Sequence, residues 1–374
     1  MKTKVDSTKL VNTAVSSHVH SFFTKWTMGF CLFFVLNSVV ADVDMDKKGI
    51  WISPSELREL PTVGRAWNRL KKAADSPAGV PSLRDQNQKN DVYVLAKAIV
   101  YARTGTERYR ENVIEQLQQT IGTEEGGKTL SLGRNLVAYV IAADLVGLPP
   151  DFNRVFQAWL SQVSTTVLKS RTLRSTHEDR PNNWGTHAGA SRAAIAVYLD
   201  DQNELEKISR VFKGYLGDRT TYAGFKYGDD LSWQCDSLRP VGINPKDCRK
   251  LGHPIGGILP DDQRRSGSFQ WPPPKENYVY EGLQGAIVQA VILHRAGYNS
   301  FYWGDKALLR AYQWLHDQAD FPPEGDDTWQ LPLVDYFYGT HYWDGSPTRC
   351  GKNMCWTDWT HMKKTNVGNR VGYH

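Results

Sequence analysis

Helix-period apolar segments follow one another along most of this chain with only short turns between them, and clean strand alternation is scarce. The spacing predicts helices near 88–103, 106–121, 130–146, 151–169, 184–199, 202–215, 279–296 and 305–319. Several stop at glycine or proline, as at Gly147-Leu148-Pro149 and Gly297. Nearer the front, Ser53-Pro54-Ser55-Glu56 is a capping box with proline at the first helical position, followed by Leu57, Leu60, Val63, Trp67 and Leu70 at helical spacing. A helix with one apolar stripe must bury it, and short turns make sequence neighbours antiparallel neighbours. The expected fold is all-α: stacked helical hairpins, about ten helices in all, forming an incomplete α/α toroid with a groove at one end. Neither a fixed-length repeat nor a low-complexity linker divides it, so residues 42–374 read as a single domain.

Residues 1–41 read differently. Lys25 precedes a short apolar run from Met28 to Leu36, and small residues up to Ala41 stand before Asp42, the pattern of a secretory signal peptide. The run falls short of the roughly 20 residues a membrane span needs. Removing this segment takes away four Lys and one Asp, so the formal net charge drops from +5 to +2. That near-neutral balance leaves no electrostatic footprint for nucleic acid. Cys31 leaves with the segment, and Cys235, Cys248, Cys350 and Cys355 can pair in three ways. Local pairing, Cys235 with Cys248 and Cys350 with Cys355, is favoured because each bridge pins an irregular loop, as in proteins of oxidising compartments. Zinc is the rival reading, weakened by the lack of Cys-x-x-Cys spacing. The expectation is a secreted protein, extracellular or periplasmic, free of the membrane after cleavage, monomeric, and without metal or cofactor.

Residues 217–278 break the helical pattern with Gly, Pro, aromatic and charged residues, among them Trp233, Arg239, His253, Arg264-Arg265, Trp271 and Pro272-Pro273-Pro274. A loop this long in a compact domain is usually functional or disordered, and so many aromatics argue against disorder. It reads as the wall of a binding cleft, with Trp233, Trp271 and Trp184 as platforms for sugar rings. Arg239 is a further candidate contact. Chemistry is concentrated at Arg180-Pro181-Asn182-Asn183-Trp184-Gly185-Thr186-His187, where a polar loop gives way to a small-residue helix. With a helix starting near Asn183, Asn183 and His187 share one face, a turn apart. An amide beside an imidazole can hold a carboxylate and help remove the proton next to it. Three further candidates are Arg264-Arg265, His253 in Gly252-His253-Pro254, and Tyr278-Val279-Tyr280 at the head of an apolar helix.

An Asn pair opening a helix, an Arg-bearing loop and a Tyr opening an apolar helix, in that order, resemble the alginate-lyase group of α/α-toroid polysaccharide lyases. Arg134-Asn135-Leu136-Val137-Ala138-Tyr139 and the stretch from Gly297 to Leu309 resemble further helices of that group, so the likeness spans roughly residues 90 to 320. The resemblance implies β-elimination on a 4-linked polyuronate such as alginate or glucuronan. It implies that Asn183 and an Arg neutralise the sugar carboxylate, that His187 assists or acts as base, and that Tyr280 protonates the leaving oxygen. Two departures leave alternatives open. Trp184 stands where the group commonly has His, and a Trp-Pro-Pro-Pro insert separates the Arg pair from Tyr280. Arg264 and Arg265 therefore compete for one role, His253 competes with His187, and Tyr278 is held as a binding residue.

Each candidate also has a structural explanation. Asn183 makes a good N-cap, His187 can pack among Ala and Gly, and Arg264-Arg265 can pair with Asp261-Asp262. Tyr280 shares a face with Gln284, Ile287 and Val291 and can head a core stripe. Two other functions fit the same scaffold: a toroidal glycoside hydrolase, which needs two carboxylates across the scissile bond, and a non-catalytic carbohydrate-binding protein.

Overall fold

The capping box forms as the sequence dictates, but the helix it starts is short. In a computed structural model, which describes residues 48–362, the Ser53 hydroxyl accepts from the Glu56 amide and the Glu56 carboxylate accepts from the Ser53 amide. Helix α1 (Pro54–Glu59) then ends at Leu60-Pro61, because proline lacks the N–H the next turn needs. The apolar spacing resumes on α2 (Arg65–Asp75), which buries Trp67 and Leu70, while Val63 between the two helices lies exposed. The single helix read from Leu57 to Leu70 is thus two.

The remaining helices are α3 (Asn90–Thr104), α4 (Glu107–Thr120), α5 (Thr129–Val146), α6 (Pro150–Val163), α7 (Leu173–Asp179), α8 (Asn183–Tyr198) and α9 (Gln202–Tyr215), followed by α10 (Pro260–Gln263), α11 (Tyr278–Arg295), α12 (Trp303–Asp317), α13 (Gln330–Tyr338) and α14 (Thr357–Thr360). With 55% helix and 2% strand the fold is all-α. The only ladder among the described residues is a two-residue hairpin pairing Arg249 with Pro254 and Lys250 with His253.

The helices sort into two kinds. Helices α3, α5, α8 and α11 are buried nearly all round, and each packs on the next: α3 on α5, α5 on α8, α8 on α11. Helix α5 is long and apolar enough to cross a bilayer, yet only Asp144 of its residues escapes burial, which marks a core helix. Helices α2, α4, α6 and α9 bury one stripe each and cover the inner row from outside. Two glycines set the spacing of the inner row. A Cβ on Gly133 of α5 would strike the backbone of α8 at His187-Ala188, and one on Gly285 of α11 would strike it at Thr186-His187. Three helix backbones therefore converge on the first turns of α8.

Both locally paired disulfides are present, Cys235–Cys248 and Cys350–Cys355, so these thiolates are not zinc ligands. All described residues fall within the unit Asp42–His374. The expected signal peptide lies outside them.

Candidate active site

The N-terminus of α8 assigns its two asparagines different work. Asn182, not Asn183, is the N-cap: its Oδ1 accepts the Trp184 amide at 3.1 Å, and its Nδ2 donates to Asp261 at 2.7 Å. Relieved of capping, the fully buried Asn183 donates its backbone N–H to Asp262 Oδ1 at 3.2 Å and its Nδ2 to Glu281 Oε2 at 3.1 Å. Glu281 lies in the first turn of α11, where the helix dipole favours a negative charge. The same Glu281 oxygen also takes an ion pair from Arg134 of α5. Three inner helices thus meet at one carboxylate.

One turn further along α8, His187 is fully buried. Its Nδ1 accepts from Asn353 Nδ2 at 2.9 Å. Burial, and then the Arg134 and Lys352 charges, hold its pKa well below the usual histidine value, so the ring is neutral near pH 7. Asp262 moves the other way. Burial pushes its carboxyl well above the ordinary range, reinforced by the nearby charges of Asp261 and Glu281. Burying a polar atom without a partner is costly, and such atoms are rare in native proteins. Here Arg134 Nε, Asn183 Oδ1, His187 Nε2, Asp262 Oδ2 and Asn353 Oδ1 all lack one, and all five belong to this one network.

A more open rim surrounds it. Tyr278, the first residue of α11, is 40% exposed, and the Arg265 guanidinium lies 4.2 Å from its ring centre. Arg264 is tied to Asp261 at 2.8 Å, leaving Arg265 as the less constrained member of the pair. Arg180 sits 6.0 Å over the half-buried Trp184 ring. A cavity of about 480 Å³ opens at Asn277, lined by Glu324, Asp326, Asp327, Thr328 and Arg349. Asp327 accepts from Gln284 at 2.6 Å, and burial raises its pKa to about 7.

Asn183, His187, Trp184, Arg264, Arg265 and Tyr278 therefore gather around the heads of α8 and α11. The other candidates do not. Tyr280 is a correction: its ring is fully buried edge-on to Phe321, and its hydroxyl donates to the Phe321 carbonyl at 2.5 Å, so it cannot deliver a proton to a bound sugar. Residues two apart on a helix face different ways, which is why Tyr278 is at the rim and Tyr280 in the core. Trp233 is also a correction. It is wholly buried, with its indole N–H on the Gly267 carbonyl at 2.8 Å and its ring edge-on to Phe269, and offers no face to a sugar. His253 stacks on Trp271 at 4.4 Å, each ring covering the other. Arg239 is exposed in a turn near Asp236 and lines a separate hollow with Asp218 and Thr220.

In sequence Glu281 and Asp262 are only weak carboxylate candidates for a hydrolase, Arg134 stands in a family-like stretch without a role, and Lys352 and Asn353 carry no signal. Arg134 and Glu281 carried a usable signal, being charges in otherwise apolar helices, which need a buried partner. Nothing in sequence pointed from Asn353 to His187.

The comparisons make part of this all-α chain similar to a family of polysaccharide lyases. Residues 60–220 match the alginate lyase family, and the chain is alginate-lyase-like, which implies an acidic polysaccharide as substrate. The match includes Arg134, Asn183, Trp184 and His187, and it ends before Arg265, Tyr278 and Glu281. Among curated proteins, none matches the chain. The two disulfides fit an extracellular location.

Proposed function

We propose that the enzyme cleaves a 4-linked polyuronate by β-elimination at the heads of α8 and α11. The reading rests on one observation: Asn183, Arg134 and His187 lie on one buried network beneath the exposed phenol of Tyr278, and that network holds unpartnered donors. Arg134 Nε and His187 Nε2 lack partners, and the Asn183 amide has a second hydrogen beyond the one on Glu281. On this reading the three donors serve one uronate carboxylate.

The hydrogen on C5 of a uronate becomes acidic enough to remove only when the carboxylate charge beside it is offset. Each preorganised donor aimed at the developing enolate contributes about 3–4 kcal/mol, by analogy with an oxyanion hole. Tyr278, as phenolate, takes the C5 proton, with Arg265 the positive charge on its ring. The electron pair left on C5 forms the C4=C5 double bond as the C4–O4 bond breaks, and the phenol returns its proton to O4. One group can do both only if the C5 hydrogen and O4 leave from the same side, as in mannuronate and glucuronate. Polymannuronate or glucuronan is therefore the preferred substrate over polyguluronate. Trp184 and Arg180 offer an aromatic face and a positive charge to a neighbouring sugar. We read the inner row α3, α5, α8, α11 as the arc of an incomplete toroid, with this groove at one end.

The test is a panel of purified uronans followed by ultraviolet absorbance, where elimination leaves an unsaturated chromophore. Polymannuronate or glucuronan should give it, and uncharged glucans should not. Cleavage of a neutral polymer without absorbance would instead support a hydrolase, a reading favoured by the opposed environments of Asp262 and Glu281.

A further inference from the structure

We infer that the disulfide-closed hairpin Cys350–Cys355 is part of the active site, and that Asn353 at its tip is a positioning residue that fixes His187 with its proton on Nε2. This extends the lyase reading and rests on it for the role of His187. The hairpin lies well outside the part of the chain that matches alginate lyases.

Its seat is specific. The Lys352 amide donates to Gln284 Oε1 of α11 at 3.0 Å, and the Arg349 amide donates to Thr328 Oγ1 at 3.0 Å. A Cβ on Gly351 would strike the Trp329 indole, so the turn lies flat on that ring. Met354 and Cys355 are fully buried beside it. Asn353 has φ +67°, a left-handed conformation that asparagine tolerates better than most residues and that costs free energy elsewhere. The strained tip points the Asn353 amide at His187 Nδ1, and both side chains are fully buried.

With the Asn353 amide nitrogen facing the ring, the hydrogen bond sets the tautomer. An imidazole nitrogen that accepts from an amide N–H carries no proton, so the proton of the neutral ring resides on the other nitrogen. His187 then presents Nε2–H, which has no partner among the described residues. In that state it donates to a carboxylate or enolate and cannot act as a base, so the proton-abstracting role passes to Tyr278.

The tautomer is readable directly by long-range ¹H–¹⁵N correlation on histidine-labelled full-length protein, with His187→Gln identifying the resonance. Wild type should show His187 protonated at Nε2. Asn353→Asp places an acceptor at Nδ1 and should move the proton there. On a uronan substrate the folded variant's kcat should fall about 10²-fold, as for loss of one preorganised donor, with KM within about threefold. A wild-type ring protonated at Nδ1 overturns the proposal, as does an Asn353→Asp enzyme with the wild-type tautomer and full kcat. The wild-type spectrum decides the tautomer even if the variant does not fold. Absence of unsaturated product from every uronan with the wild-type enzyme would remove the lyase reading, while the spectrum would still test the positioning of His187.

Discussion

The heads of α8 and α11 and the irregular segment 217–278 are both polar and aromatic-rich, yet they are built on opposite principles. In the segment, polar groups are turned inward and satisfied. Gln234 exchanges hydrogen bonds with the Val241 backbone, Asn244 donates to the Trp233 carbonyl and accepts from the Cys235 amide, and a disulfide closes the stretch. From 217 to 261 no buried side-chain polar atom among the described residues lacks a partner. At the helix heads, five such atoms on one network do. A loop saturated with its own hydrogen bonds is a folded support, whereas a buried cluster that leaves two nitrogens and three oxygens without partners is the feature on which the proposed site rests. The stretch Asp261 to Arg265 reaches the site, by bonding to Asn182 and Asn183 and by laying Arg265 on Tyr278, the residue that closes the segment and opens α11.

The sharpest test of this contrast is the tyrosine pair. Tyr278→Phe should lower kcat on a uronan by about 10³-fold or more, within the range for loss of an acid–base group, while polymer binding persists. Tyr280→Phe should keep kcat within about threefold and lose about 0.5–1.5 kcal/mol in urea denaturation, because the hydrogen bond to the Phe321 carbonyl is lost. Equal activity loss in both variants would erase the distinction. Next in size, Asn183→Ala and Arg134→Ala should each reduce kcat/KM by about 10²- to 10³-fold. Wild-type activity in either would show that the convergence on Glu281 serves only the fold.

The tryptophans separate along the same line. Trp233→Ala should cost about 3–5 kcal/mol of stability by opening a cavity, with kcat/KM of the folded fraction unchanged. Trp184→Ala should leave the denaturation midpoint in place and raise KM by about fivefold, the value of about 1 kcal/mol of ring stacking. A separate effect, on stability alone, concerns Asp91, whose pKa burial raises to about 7. In the unfolded chain it titrates near the ordinary carboxylate value, so the folded state holds the extra proton between about pH 4 and 7. Its contribution to stability is therefore complete at low pH and lost as pH rises through 7. Asp91→Asn removes that dependence. Relative to wild type the variant should gain stability as pH rises from 5 to 8, at up to about 1.4 kcal/mol per pH unit, measured by urea denaturation at each pH. A constant difference across that range would show that Asp91 is not held protonated.

Much of the architecture was legible because helix formation is local. The expected helix at 130–146 is Thr129–Val146, and that at 202–215 is Gln202–Tyr215, since apolar period and end signals both lie within the segment. Helix α7 (Leu173–Asp179) escaped notice, being two turns long with little apolar period, although Thr172 and Ser175 form a capping box. The break at Pro61 was visible in sequence and was overridden by the spacing on either side.

The chain alone therefore determined an all-α protein and two local disulfides, and singled out Asn183 and His187 at the head of α8 as candidates. These follow from residue spacing along one segment, which geometry maps onto one face. Only the tertiary structure could decide which tyrosine is exposed, that Asn182 rather than Asn183 takes the cap, and that Glu281, Arg134 and Asn353 join the same site. Those choices depend on contacts between residues as far apart as His187 and Asn353, and no local pattern encodes which buried group finds a partner.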